Sequence, residues 1–246
     1  MSRDRKQVFV EEVGELIRAS GFGAARAHEA SVLVFDTKAF ASQVAAAGEL
    51  LDRTERTRAA RFRYQSDRAT YTLAHAVWRI AIGQCIDAAP EDVPLAATAE
   101  GKPHLPGVAF STSLSHSGSM VALSVSTAAT IGVDIEVVPA KIDLDALVPM
   151  FCTRREAMDV HGLRPACRAR RLMELWTRKE ALLKAFGVGF RTDPATTPAP
   201  PSELQMPPPD AFFAPPCHTR NLGDADQWIA AVATPAAVRE ARVHLL

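Results

Sequence analysis

The stretch Ile131–Val138 (IGVDIEVV) limits the fold more than any other. Two-residue alternation from Ile131 to Val137 marks a β-strand. Ile131, Val133, Ile135 and Val137 fall on one face, and Gly132, Asp134 and Glu136 on the other. The first face requires an apolar layer above it. The second carries two carboxylates at i and i+2, projecting side by side. Among apolar neighbours such charges are costly unless a cation compensates them. Two hard oxygen donors suit Mg²⁺, which takes one or two carboxylates plus substrate phosphates. The bland alternative is a solvated sheet face with two ordinary acids.

Around this strand the order helix-then-strands is read twice. Ser66-Asp67 starts a helix over Asp67–Ile86, with Leu73, Ala76, Val77 and Ile80 on one side. Strands are expected at Ser31–Phe35, Val108–Ser111 and Met120–Ser126. The small residues of Ser113–Ser119 (SLSHSGS) suggest a sharp turn. A second helix spans about Arg168–Phe186, stopped by Gly187 and Gly189. Strands return at Gln227–Thr234 and Arg242–Leu246. Two further helices are expected over Val8–Ser20 and Ala41–Ala60. Asp193–Cys217 holds nine of the 17 prolines and reads as an extended surface segment. The expected division is an N-terminal extension (1–30), a first half (31–128) and a second half (129–246) containing the Pro-rich loop (193–217). A length of 246 residues suits one large domain or two small ones.

Lys+Arg 28 against Asp+Glu 28 argues against a globally basic nucleic-acid binder. No apolar run reaches the roughly 20 residues of a membrane span. MSRDRKQVFVEE lacks the apolar core of a secretory signal. Cys85, Cys152, Cys167 and Cys217 form no C-x-x-C pair and read as free thiols in a reducing cytoplasm. A cytoplasmic protein with no nucleic-acid or membrane partner is expected.

Further residues carry possible chemistry. Glu180 and Lys184 share a helix face at i,i+4. They are either a surface ion pair or a third metal carboxylate one turn from a phosphate-binding cation. His116, beside Ser115, is either a loop histidine or a donor to an anion. Gly101-Lys102-Pro103 is a turn that also offers a cation. Arg58, Arg61 and Arg63 form a small basic cluster.

Together these motifs resemble those of 4′-phosphopantetheinyl transferases, specifically the larger, monomeric Sfp type. That family carries G-[IV]-D-[ILV]-E on a strand and, about 40 residues on, [FW]-[ST]-x-K-E-[AS]-x-x-K on a helix. Here they read Gly132-Val133-Asp134-Ile135-Glu136 and Trp176-Thr177-Arg178-Lys179-Glu180-Ala181-Leu182-Leu183-Lys184. A G-K-P turn and an N-[IL]-S-H-S segment are matched upstream by Gly101-Lys102-Pro103 and Ser113-Leu114-Ser115-His116-Ser117. The resemblance spans about Arg58 to Phe186.

The resemblance implies an α+β fold: a pseudo-dimer of two similar halves, each a helix packed on a small antiparallel sheet. It implies transfer of the phosphopantetheine arm of coenzyme A to a serine of an apo acyl or peptidyl carrier protein, releasing 3′,5′-ADP. By position, Asp134, Glu136 and Glu180 would hold Mg²⁺, with Glu180 also the base for the serine hydroxyl. Lys184 and His116 would hold the diphosphate, and Lys102 and Ser115 would line the coenzyme A pocket. Arg58 and Arg61 would bind the 3′-phosphate. Met150, Phe151, Arg154, Arg155 and the Arg164–Arg171 stretch are candidates for a carrier-protein surface. Three positions depart from the family: Ser113 stands for the usual Asn, Tyr71 for a small hydroxyl residue, and Glu55 where a base is common and would weaken 3′-phosphate binding. Other readings are a catalytically silent coenzyme A or carrier-protein binding module, and a metal-dependent phosphodiester hydrolase.

Overall fold

The computed structural model describes residues 4–23, 26–211, 213–223 and 226–246. In chain order the elements are α1 (Arg5–Ala19), β1 (Glu29–Asp36), a 3₁₀ turn (Thr37–Gln43), α2 (Val44–Leu50), α3 (Arg53–Ala59) and α4 (Gln65–Ile86). There follow β2 (Ala96–Ala97), β3 (Pro103–His104), β4 (Ser111–Ser117), β5 (Met120–Ser126) and β6 (Gly132–Val137). Then come α5 (Leu144–Phe151), α6 (Arg154–His161), α7 (Pro165–Phe186), β7 (Cys217–Leu222), β8 (Trp228–Pro235) and β9 (Glu240–Leu245).

Two sheets stack between helices. One has the order β4-β5-β1-β9 and the other β6-β8-β7, while β2 and β3 form a small separate hairpin. Ala30, Val32 and Val34 of β1 meet Val133 and Ile135 of β6, with Ala230 and Val232 of β8, in the layer between the sheets. The opposite face of β1, Leu33 and Phe35, packs on Phe9, Val13 and Ile17 of α1 and on Leu73 and Val77 of α4. The opposite face of β8, Ile229, Ala231 and Ala233, packs on Leu172, Leu175 and Leu182 of α7. Strands covered on both sides read as near-continuous apolar runs. Each fully buried large aliphatic or Phe side chain here contributes roughly 1.5–3 kcal/mol.

The fold is therefore α+β, with several corrections to the sequence reading. The first sheet is mixed, because β9 runs parallel to β1. Residues 240–245 accordingly belong to the sheet of the first half. Residues 5–19, expected as part of an extension, bury Phe9, Val13 and Ile17 completely in the first half's core. Residues 1–3 and 24–25 of that stretch lie outside the described residues.

Ala41–Ala60 is no single helix. Leu51 is extended, and Asp52 starts α3 with a capping box. Its carboxylate accepts from Glu55 N at 2.8 Å, and Glu55 accepts from Asp52 N at 2.9 Å. Ser113–Ser119 is mostly strand, and only Gly118 (φ +58°) and Ser119 turn. Of Val108–Ser111, only Ser111 is in a strand.

The Pro-rich segment is tied down rather than free. Arg178 Nε donates to Ala199 O at 2.8 Å, and Lys179 Nζ donates to Thr197 O at 2.6 Å and Pro194 O at 2.9 Å. Residue 212 of that segment lies outside the described residues. Among the described residues no helix is long and apolar enough to cross a membrane.

Candidate active site

The site begins with a missing side chain. A Cβ on Gly132 would stand 2.0 Å from Ala181 O and 2.6 Å from Ala185 N. Glycine thus lets the backbones of β6 and α7 touch. Gly132, Asp134 and Glu136 share one strand face, and that face looks at α7 rather than at solvent. The contact brings Glu180 and Lys184 of α7 against the two strand acids.

Lys184 pairs with Asp134, not with Glu180: its Nζ lies 2.7 Å from Oδ1, 2.8 Å from Ser115 Oγ and 3.2 Å from Val133 O. The simple i,i+4 surface pair is therefore ruled out. Alternate serines of β4 complete the seam between the sheets. Ser113 Oγ accepts from Val133 N at 3.2 Å, and Ser115 Oγ donates to Asp134 Oδ1 at 2.7 Å. Ser117 Oγ donates to Glu136 Oε2 at 2.5 Å. Asp134 is only 4% exposed.

Three acids meet one cation here, and the titration behaviour reflects it. Burial, then the negative charge of Asp134, pushes the Glu180 carboxyl up to about 7, against the opposing pull of Lys184. Burial also raises Glu136, with Asp134 adding to the effect; hydrogen bonds from Ser117 and Trp176 oppose it. Asp134 Oδ2 is buried with no hydrogen-bond partner among the described residues. Hard oxygens, an orphaned Oδ2 and excess negative charge form a donor set that fits a divalent cation. Among the described residues, however, no three His, Cys, Asp or Glu side chains are already grouped as a metal cage. Instead the Lys184 ammonium bonds the Asp134 carboxylate.

Beside the acids opens a cleft of about 470 Å³, with Glu55, Arg58 and Tyr71 on one wall and Lys184 and Gly187 on the other. His116 lines it from β4 and has an exposed outer face. It lies on the strand face opposite Ser115. Burial around its ring, then the charge of Lys184, lowers its pKa below that of an ordinary imidazole. Ser115 is turned to the acids and does not line the cleft.

Lys102 lines the cleft. Its Nζ donates to Ala185 O at 2.6 Å and Thr130 Oγ1 at 2.5 Å, so the ammonium anchors the C-terminal end of α7. Arg58 sits in the cleft with its guanidinium 5.9 Å from the centre of the Tyr71 ring. Arg61 lies in an adjoining groove with Arg53 and Arg58. On the candidate carrier surface, Met150 is exposed but Phe151 is buried edge-to-face on Trp176 at 5.2 Å.

Glu55 does not stand in the cleft as a free negative charge. Its carboxylate takes Arg79 Nε at 2.7 Å and His75 Nδ1 at 2.8 Å. Burial pushes its pKa up, but the His75 and Asp52 hydrogen bonds and the Arg79 charge outweigh this and hold it low. Sequence reasoning missed this network. Its signal was Asp52-x-x-Glu55 as a capping box, with His75 and Arg79 one turn apart on α4.

Residues 130–228 match the family model described as the 4′-phosphopantetheinyl transferase superfamily. Residues 38–128 match the model described as 4′-phosphopantetheinyl transferase, N-terminal. The chain is 30% identical over 201 residues to the 4′-phosphopantetheinyl transferase HetI of Nostoc sp., covering 78% of this chain and 81% of that one. It is 31% identical over 155 residues to a phosphopantetheinyl transferase of Thraustochytrium sp., covering 57% and 54%. It is 33% identical over 89 residues to the 4′-phosphopantetheinyl transferase AcpT of Salmonella typhi, covering 36% and 46%.

Proposed function

This chain belongs to the 4′-phosphopantetheinyl transferase superfamily, and on that footing we propose that it works at the junction of β6 and α7 with the help of Mg²⁺. It transfers the 4′-phosphopantetheine arm of coenzyme A to a serine of an apo acyl or peptidyl carrier protein and releases 3′,5′-ADP. The carrier serine oxygen bonds to the phosphorus bearing the pantetheine arm. The bond from that phosphorus to the bridging oxygen of 3′,5′-ADP breaks, and the serine proton is taken up by a carboxylate.

Asp134, Glu136 and Glu180 are the residues that would hold the cation. When bound, Mg²⁺ supplies charge neutralisation at the diphosphate. Glu180 is the group we assign to receive the serine proton, because burial and neighbouring charge bring its pKa near neutrality. Lys184 and His116 face the cleft and would bind diphosphate oxygens. Arg58 supplies a further anion contact there, with Arg61 in the adjoining groove. Lys102 acts through its hold on the end of α7, and Ser115 through its hold on Asp134.

The observation that carries this reading is the excess of buried carboxylate at one seam, with Asp134 Oδ2 left unpaired among the described residues. A silent binding module would not need to retain three acids at such cost. Residues in both halves line the cleft, which supports a working monomer. The pseudo-dimer reading is supported by order: strand, 22-residue helix, then two hairpin strands, with the second hairpin strand pairing to the first strand in each half. The free thiols suit a cytoplasmic setting.

The test is incubation with coenzyme A, Mg²⁺ and a panel of apo carrier proteins. A carrier mass increased by one phosphopantetheine, with 3′,5′-ADP released in equal amount, is expected. 3′,5′-ADP formed equally well without any carrier would point to hydrolysis instead.

A further inference from the structure

The assigned machinery leaves a histidine of the cleft unused. His75 of α4 lines the cleft next to Arg58, on the wall opposite Lys184. Its ring is fixed on three sides. Tyr71 stacks on it at 4.0 Å, Trp78 meets it edge-on at 5.5 Å, and Nδ1 is bound to Glu55 at 2.8 Å. Nε2 has no hydrogen-bond partner among the described residues and is not a sealed-off buried atom. Glu55 is itself immobilised by Arg79 Nε and by Asp52 N. A carboxylate on Nδ1 fixes the orientation of the ring and leaves Nε2 as its free nitrogen.

Coenzyme A carries two anionic groups, a diphosphate and a phosphate monoester on the ribose. The wall with Lys184 adjoins the acids and serves the diphosphate in the reading above, on which this inference rests. His116 also lines the cleft. The family resemblance puts the monoester beside Arg58, on the wall formed by α3 and α4. Arg58, in no ion pair with a carboxylate among the described residues, offers a fork of donors there.

We propose that His75 is a specificity-determining residue that binds the ribose phosphate of coenzyme A together with Arg58, and that Glu55 is its positioning residue. The acid at position 55 therefore does not repel the phosphate. Its charge is met by Arg79, and it holds the His75 ring with Nε2 free for the ligand.

The experiment compares coenzyme A with 3′-dephospho-coenzyme A, by calorimetric binding and by transfer to an apo carrier. The variants are His75→Phe, which keeps a stacking ring without nitrogen, and Glu55→Gln. Wild type should prefer coenzyme A, and His75→Phe should lose about tenfold of that preference. The loss should fall on Kd and KM for coenzyme A, with kcat and the dephospho compound changed about twofold or less. Glu55→Gln should lose part of the same preference in the same way. A His75→Phe variant that keeps the wild-type preference, or weakens both ligands equally, overturns the assignment. Wild type that binds neither compound and modifies no carrier overturns the functional reading along with it.

Discussion

Replacing Glu180 by Gln should make the protein more stable while destroying its activity. In the folded chain the Glu180 carboxyl titrates at about 7, against an ordinary 4.5, because burial and Asp134 penalise its charged form. A raised carboxyl pKa means that the folded state binds more protons than the unfolded state between these values. Stability therefore falls as pH rises from about 4.5 through 7. The gap is about 2.5 pH units, and at about 1.4 kcal/mol per unit the full penalty above pH 7 is about 3 kcal/mol. Partial exposure makes this an upper figure. Glutamine has the same shape and no charge, so the variant escapes the penalty. Urea unfolding in EDTA should give Glu180→Gln an advantage of about 2–3 kcal/mol at pH 8, with almost none at pH 4.5. Saturating Mg²⁺ at pH 8 should stabilise the wild type by about 2.7 kcal/mol at a hundredfold excess over Kd, and the variant by much less. Equal stabilities at pH 8 in EDTA, or an advantage independent of pH, would refute the picture of crowded acids awaiting a cation.

Four other outcomes follow from the same seam and its supports. Asp134→Ala should lower the rate of carrier modification by about a hundredfold or more at any Mg²⁺ concentration, read by carrier mass; near-normal activity at low Mg²⁺ would remove Asp134 from the ligand set. Gly132→Ala must force β6 off α7, because its Cβ would meet Ala181 O at 2.0 Å, and should cost about 3 kcal/mol or more in urea unfolding. Arg79→Met leaves Glu55 and Asp52 without their main cation and should destabilise by about 3 kcal/mol, measured as the shift in urea midpoint at unchanged slope. Lys179→Met frees the carbonyls of Pro194 and Thr197, so the amide hydrogens of residues 195–199 should exchange faster than in wild type while α7 stays helical.

The acids and their strand were legible because alternation is a local property. Asp134 and Glu136 are fixed to one face by the pleat alone. The partner of Lys184 was not legible. Helix spacing pointed to Glu180, but the lysine reaches across to Asp134 because the Gly132 contact removes the distance between β6 and α7. His116 was placed in a turn since serine and glycine dominate Ser113–Ser119. In the fold Ser113, Ser115 and Ser117 are strand residues, each bonded to β6, a pairing no local pattern reveals. The break at Leu51–Asp52 was hidden by good helix formers on both sides, although Asp52 and Glu55 had the spacing of a capping box. Lys102 looked like a free cation in a turn. Its bond to Ala185 O depends on where α7 ends, more than 80 residues further along.

The parallel pairing of β9 with β1 bears on how the protein is made. Ala30 faces Ala241 and Val34 faces Leu245, so the edge of β1 stays open until more than 200 further residues have been synthesised. During that interval an exposed apolar strand edge must stay soluble on the ribosome. Closure joins the most distant parts of the polypeptide, a slow step by topology. The nascent first half would therefore be expected to attract chaperones, and shortening the chain by even one strand should yield aggregates rather than a smaller working enzyme.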